Sequence, residues 1–358
     1  MIKTEENYDA NALMAIPSLK DGASEIAIGL RTWDRPQLTD YIRENGVDAF
    51  FARGRKSFDE TTSTVLDVIR PEYSSDYSKS YLKHMGEMSI KSFGVLRNII
   101  TNEMQMDEFL PVLNPHDLRY QVGNKFEMAK GVYIPAKSYE RNIELIDGSD
   151  DIEKIESIPG DIIVAKPNRG SRSRDIMVGN KSYIKNELTK VDSPFIVEEK
   201  LNFTHSMPMI KGQDKNEQSK LDEANREMVN RELRIYYFGY NTWDSVVRVA
   251  DKGKTDFKND RWLYIKQDSI PYEVMEKSEQ IVDYLRKTHK TDEFNIALDW
   301  VYASSESNPD PRWLIMELNA GEPQIVWHSE DAEVGERQHR KLAEQISRIA
   351  KNTSERKR

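Results

Sequence analysis

The chain has 358 residues, of which 38% are hydrophobic and 32% charged, with a formal net charge of −9 and no cysteine. No apolar run approaches the ~20 residues of a membrane span, and an acidic balance disfavours nucleic acid as a partner, because phosphate neutralisation needs clustered Lys and Arg. The lack of cysteine excludes disulfides, thiolate catalysis and Cys-based zinc sites, and a cytoplasmic protein is the expectation.

Residues 1–22 read as a polar arm without an apolar segment behind a basic one, so no secretory signal is expected. Ser24–Leu30 has strand composition, Arg35–Asn45 reads as a helix stopped by Gly46, and Val47–Ala52 as a second strand. Ser63–Arg70 has helical spacing. Residues 71–91 carry a weak, Tyr- and Ser-rich pattern. Ser92–Asn102 is expected as a helix, Phe109–Leu113 as a strand, Pro115–Lys130 as a helix and Gly131–Pro135 as a brief strand. Strand, helix, strand at the start is the opening of a small α/β unit, expected over 23–115.

Glu144–Ser157 is acidic and reads as a helix between strands. Asp161–Lys166 is a strand running into a Gly-, Ser- and Arg-rich loop, Pro167–Asp175, followed by strands at Ile176–Val178 and Phe195–Glu199. His205–Asn225 is polar and is expected as an irregular solvent loop. Glu232–Gly239 and Asp244–Ala250 read as paired strands, and Val274–Thr288 as an amphipathic helix. Phe294–Tyr302 and Trp313–Leu318 read as a hairpin, and Ser329–Arg358 as a charged helix that frays. The layered pattern predicts an α/β (α+β) fold, with subdomains at 116–200 and 201–358 after the N-terminal unit.

Asp299 and Glu317 lie on the two strands of the predicted hairpin, and Asn319 follows Glu317 by two residues. Alternation on a strand puts Glu317 and Asn319 on one face, where Asp299 can lie opposite. Three oxygen donors on one sheet face suit Mg²⁺. Either acid alone could instead sit in a buried bridge with Arg or Lys. Lys166 ends a strand and leads into a loop where Gly170 allows close backbone approach to an anion. Successive N–H groups there form a nest, and Arg169, Arg172 and Arg174 add forked donors. No GxxxxGK[ST] motif is present, and a solvated Arg-rich loop is the competing reading. Glu198–Leu201 ends a strand and could offer backbone groups to a base edge, or be an ordinary charged strand end. Lys125, alone, reads as a surface lysine. The six histidines show no ligand spacing.

Taken in order, these segments resemble the ATP-grasp superfamily. The resemblance rests on VLNPHDLRYQVGNKFEMAKGVYIPAKSY, IIVAKPNRGSRSRDIMV, FIVEEKLN, ALDWV and LIMELNAGEP, covering roughly Phe109 to Trp327. It implies a small N-terminal α/β domain followed by two α+β subdomains clasping ATP. It also implies that Lys125 and Lys166 contact phosphates, with Gly170, Ser171 and Arg172 in the loop over them. Glu198 would meet the adenine amino group, and Glu199 and Leu201 would give backbone contacts. Asp299, Glu317 and Asn319 would hold two Mg²⁺ ions, with Mn²⁺ as a substitute. Arg234 and Arg248 would reach the γ-phosphate or an acyl-phosphate. The usual ribose-contacting acid after the hinge is missing from LNFTHSM, and the acids from Asp222 to Glu232 are the candidates after a loop excursion.

The implied activity joins a carboxylate, from an amino acid or peptide, to an amine through an acyl-phosphate. The opening unit and the VLN segment are most similar to the RimK-like branch. Arg31, Arg53 and Arg55 follow the first two predicted strands at their C-terminal ends, where α/β units often bind ligands; a solvated basic loop is the equal alternative. A phosphotransferase on the same ATP site, or a non-catalytic nucleotide-binding module, are the competing functions. A homo-oligomer is compatible with the sequence, which does not encode the oligomeric state.

Overall fold

The computed structural model describes residues 14–17, 26–30, 41, 44–45, 50–51, 118, 121–139, 141–169, 175–191, 193–202, 205–250, 261–320 and 332–355. The chain divides into two compact units. One comprises 1–116, 292–295 and 321–358, the other 117–291 and 296–320. The elements expected at 63–70, 92–102 and 109–113, the 71–91 segment, Arg31, Arg53 and Arg55 all lie outside the described residues.

In the first unit, β1 (Met14–Pro17) pairs antiparallel with β2 (Ile26–Leu30), which pairs parallel with β3 (Phe50–Phe51). The first 22 residues therefore contribute a strand. The C-terminal helix Ala332–Glu355 belongs to this unit. Its Arg340 sits over the Tyr41 ring at 4.1 Å and pairs with Glu44 at 3.0 Å.

The second unit holds two sheets. The smaller one has strand order β4-β7-β5-β6, with β4 Ile143–Ile146, β5 Ile162–Pro167, β6 Met177–Asn180 and β7 Phe195–Glu199. All its pairings are antiparallel. Alternation along β5 and β7 sends Ile163, Ala165, Phe195 and Val197 to one face. There they pack with Ile152, Ile155, Ile184 and Leu188 in a single apolar cluster. Ile152 and Ile155 come from the 3-10 helix Ser149–Ser157, and Ile184 and Leu188 from α2 (Lys181–Leu188). Every residue of β7 is buried, so its other face is covered as well.

The larger sheet has strand order β10-β9-β8-β11-β12. Its strands are β8 Arg231–Phe238, β9 Trp243–Val249, β10 Arg261–Tyr264, β11 Asn295–Ala303 and β12 Arg312–Ala320. The predicted β8–β9 and β11–β12 hairpins are both present, the latter with a register shift between Asp299 and Trp300. Helix α4 (Tyr272–His289) buries Val274, Ile281, Val282 and Leu285 at helical spacing. No helix among the described residues is long and apolar enough to cross a membrane.

Three local expectations fail for identifiable reasons. Gly131–Pro135 is not a strand. Helix α1 (Lys125–Met128) runs on into a π-helical turn, Ala129–Tyr133, closed by Ile134 N–H donating to Ala129 O at 2.9 Å. Burial of Val132 and Tyr133 outweighs their β propensity. The acidic segment 144–157 starts as strand β4, breaks at Gly148 (φ 108°), and winds only afterwards. The region 205–225 contains α3 (Lys215–Arg226), which buries Leu221 and Ala224 and is capped by Asp214 accepting from Glu217 N–H at 2.9 Å. Its Asp-x-x-Glu start is a capping signature that was legible in the sequence.

Candidate active site

A row of charged side chains crosses the larger sheet because the strands share one alternation. On β8, Glu232 and Arg234 share a face; on β9, Arg248 lies opposite Glu232, and on β10, Trp262 lies opposite Arg248. On the other side, Asp299 of β11 pairs in register with Glu317 of β12, and Asn319 with Ala297. Two carboxylates directly opposite each other repel, so the arrangement calls for cations.

Arg234 answers part of that demand. It donates from Nε and Nη2 to the two oxygens of Asp299, at 2.5 and 2.6 Å, and the Asn319 amide donates to Asp299 Oδ2 at 2.8 Å. Glu232 takes Arg248 at 2.8 Å and lies 3.6 Å from Arg234. Arg248 stacks over Trp262 at 5.0 Å. The buried Arg bridge that competed with the metal reading of Asp299 is therefore present. Glu317 has no such fork. Burial, and the charge of Asp299 facing it, raise its carboxyl above the usual range, against the pull of Lys125 and Lys166.

The face of the smaller sheet opposite its apolar cluster carries Val164, Lys166, Ile196 and Glu198. Lys166 and Ile196 line a cavity of ≈ 140 Å³ together with Lys125, Tyr133, Tyr139, Met316, Glu317, Leu318 and Asn319. The cavity walls are thus apolar or aromatic, with two ammonium groups and a carboxylate–amide pair facing the space.

Several contacts fix those groups. Asn168, at the start of the Arg-rich loop, accepts at its side-chain oxygen from Phe126 N–H (3.0 Å) and at its carbonyl from Lys125 N–H (3.1 Å). That clamps the start of α1, and hence Lys125, beside the end of β5. Burial and repulsion from Lys166 depress Lys125 against the pull of Glu317 and Glu198. Glu198 is buried, which by itself opposes its charge. Arg141 at 3.2 Å, Lys166 at 2.8 Å and the Tyr139 hydroxyl reverse that and hold it at about 2. Tyr133 is buried with its hydroxyl against the backbone of Leu318, and burial together with Glu317 pushes its phenol well up.

The expected site residues fall into three groups. Lys125, Lys166, Glu317 and Asn319 share the cavity, with Asp299 cross-strand to Glu317 and Glu198 bonded to Lys166. Arg234 and Arg248 point along the sheet into carboxylates. Glu199 and Leu201 lie away from the cavity lining. The Glu199 carboxylate accepts from Ser307 N–H and Oγ–H, both at 2.7 Å, its N–H donates to Asn142 O at 3.3 Å, and Leu201 packs with Val301, Ala303 and Leu314. Gly170, Ser171, Arg172 and Arg174 lie outside the described residues. Sequence reading missed Tyr133, Tyr139 and Arg141, placed Asn168 only in the Arg-rich loop, and took Glu232 only as a candidate ribose acid. Glu232 carried a further signal, its spacing of two from Arg234.

The donor set can be weighed for a divalent ion. Among the described residues no group of three His, Asp or Glu could hold a metal. The set here is two carboxylates and an amide, hard oxygen donors of the kind Mg²⁺ takes with water and phosphate completing the shell. It fits once Arg234 yields an oxygen of Asp299.

No family model and no curated protein matches the sequence. Among solved structures, the chain is similar to a Chryseobacterium gregarium RiPP-associated ATP-grasp ligase in complex with ADP and a leader and core peptide. The TM-score is 0.51 at 14% identity, over 90% of this chain and 96% of that one. Lower similarities are to the macrocyclase MdnC of Microcystis aeruginosa bound with precursor peptide MdnA (TM-score 0.48, 10% identity, 88% and 98% covered) and to D-alanyl-alanine synthetase A of Vibrio cholerae (0.44, 13%, 65% and 65%). Two antiparallel sheets with helices, and near-complete mutual coverage with the first of these structures, identify the architecture: the chain has the ATP-grasp fold.

Proposed function

We propose that the protein is an ATP-dependent ligase that joins the carboxylate of an amino acid or peptide to an amine. The observation that carries this reading is the meeting of Lys125, Lys166, Glu317 and Asn319 in one cavity, with Asp299 cross-strand to Glu317. Two ammonium groups suit a polyphosphate, and acidic and amide oxygens next to them suit the ions that accompany one. The similar C. gregarium ligase, described with ADP and a leader and core peptide, supports a peptide as the carboxylate donor.

The reaction balances in two steps. A carboxylate oxygen attacks the γ-phosphorus, the bond to the β–γ bridging oxygen breaks, and ADP leaves. The amine nitrogen then attacks the acyl carbon, the carbon–oxygen bond to phosphate breaks, and the amine loses a proton. In this reading Lys125 and Lys166 orient the phosphates and offset their charge. Arg248, and Arg234 when it leaves Asp299, meet the transferred phosphoryl group. Tyr133, Tyr139, Ile196, Met316 and Leu318 exclude water around the base, while Glu198, its oxygens engaged by Lys166, Arg141 and Tyr139, stands behind the lysine instead of against the base. Gly170, Ser171 and Arg172 cover the phosphates. Asp299, Glu317 and Asn319 would hold Mg²⁺, two ions by resemblance, and Mn²⁺ could replace them. The ions supply charge neutralisation on the phosphate oxygens when bound. We assign the ATP-clasping halves to 116–200 and to 201–358 without its C-terminal helix, which belongs to the first unit.

A mass-spectrometric screen of amino acids, peptides and polyamines with Mg·ATP tests the reading. The expected result is ATP-dependent condensation with ADP release that needs both acid and amine. ADP release that is indifferent to the amine would instead assign a phosphotransferase. In Glu317→Gln, turnover should fall by at least about 100-fold with the fold intact; unchanged turnover would remove the metal assignment.

A further inference from the structure

Glu198 bears one negative charge and is met by two positive ones. Its Oε1 takes Lys166 Nζ at 2.8 Å, and its Oε2 faces Arg141 Nε at 3.2 Å and accepts from the Tyr139 hydroxyl. Lys166 and Tyr139 line the cavity; Arg141 does not. The Arg141 side chain is fully enclosed. Its guanidinium stacks on the Tyr139 ring at 4.1 Å and donates from Nη1 to Met316 Sδ at 3.3 Å, so it backs two residues of the cavity wall. A guanidinium stays charged in any such setting.

The charge count has a consequence for Lys166. Were residue 141 neutral, Glu198 and Lys166 would form a closed one-to-one pair, and the ammonium would offer little net attraction to an anion. With Arg141 present the cluster carries a surplus of one positive charge, and the group that faces the cavity is the lysine.

We propose that Arg141 is a positioning residue for phosphate binding: by taking up the charge of Glu198 it leaves Lys166 free to attract the polyphosphate of the nucleotide. This rests on the nucleotide reading of the cavity. No element of the sequence motifs includes Arg141 in a site. It sits six residues beyond Pro135, between the segments 131–135 and 144–157 to which the sequence assigns elements.

Calorimetric titration of the full chain with Mg·ATP and, separately, with adenosine tests it. In Arg141→Gln the affinity for ATP should fall by at least about tenfold while that for adenosine changes by less than about threefold, because the lost charge acts on phosphates. The double variant Arg141→Gln/Glu198→Gln removes one charge of each sign and should return ATP affinity to within about threefold of the parent, a rescue that a packing role would not give. Should Arg141→Gln fail to fold by its melting curve, Arg141→Lys keeps the charge and loses the fork and the stacking; it should bind ATP within about threefold of the parent. Equal losses for ATP and adenosine, no rescue in the double variant, or a large loss in Arg141→Lys would overturn the proposal. If the parent chain binds neither ligand, the nucleotide reading itself fails. If it binds both and Arg141→Gln is silent, only the role of Arg141 fails.

Discussion

At the scale of single residues, the buried charges pull stability in opposite directions with pH. Glu198 titrates at about 2 in the fold against 4.5 unfolded. Its contribution is therefore present above pH 4.5 and is lost as the pH falls towards 2. Glu232 shows the reverse. Burial and the charge of Asp299 push it up to about 7, beyond what Arg248 and Arg234 restore. A raised carboxyl contributes stability below its unfolded value that is lost as pH rises through about 7. Glu232→Gln removes the titration and keeps an acceptor for Arg248. Urea melts of the variant should lack the decline expected of the parent as the pH rises from 4.5 to 8. A parallel decline in both proteins would contradict this. The Asp299–Arg234 fork bears on mutagenesis too. Asp299→Ala strands a buried guanidinium and should destabilise by about 3–5 kcal/mol, so its loss of activity would mix folding with chemistry. Glu317 lacks a forked partner, which makes Glu317→Gln the cleaner probe.

At the scale of elements, local chemistry decides where chain segments begin and how closely they approach. Helix α3 starts on the Asp214 cap, and Asp214→Ala should cost about 1 kcal/mol in global stability, read from denaturant midpoints. Just before it, Gly212 bridges to Ile265, and an added Cβ would stand 2.2 Å from the backbone nitrogen of Gln218. Because the obstacle is backbone, Gly212→Ala should exceed the cap deletion, at about 1–3 kcal/mol or more. A smaller effect than Asp214→Ala would mean that the α3 start shifts freely. Glu199 works as a strut at this scale: it joins the end of β7 to the β11–β12 turn through Ser307. Glu199→Gln should raise hydrogen exchange at Ser305–Asn308, with protection of the β8–β9 ladder unchanged.

At the scale of the whole molecule, a ligand that binds the native state alone stabilises it by mass action, about 2.7 kcal/mol at 100 times Kd. Mg·ATP should therefore raise the melting temperature by several degrees. Chelation of divalent ions should reduce that shift, since ATP alone would leave Asp299 and Glu317 repelling the triphosphate. Glu317→Gln should reduce the dependence on the ion. Equal shifts with and without chelator would argue against a metal-assisted site. The acidic net charge of −9 makes the pair of cavity lysines, with the surplus charge at Glu198, the local exception that a polyanion would require.

The sequence by itself determined the strands rich in β-branched and aromatic residues. β5, β7, β8, β9 and the β11–β12 hairpin were all legible because strand composition between turn signals is a local property, and with it came the pairing of Asp299 with Glu317. It also carried the ordered motifs that resemble the ATP-grasp fold. Tertiary structure alone decided the rest. Val132 and Tyr133 entered a π-helical turn because burial there outweighs strand propensity. Edge strands β4 and β10 were not marked in the sequence and are fixed by pairing with β7 and β9. Tyr139 lines the cavity, and Arg141 and Asn168 brace its wall from behind, through contacts with Glu198, Met316 and α1 between residues up to 175 positions apart in the chain, a kind of proximity that no local pattern encodes.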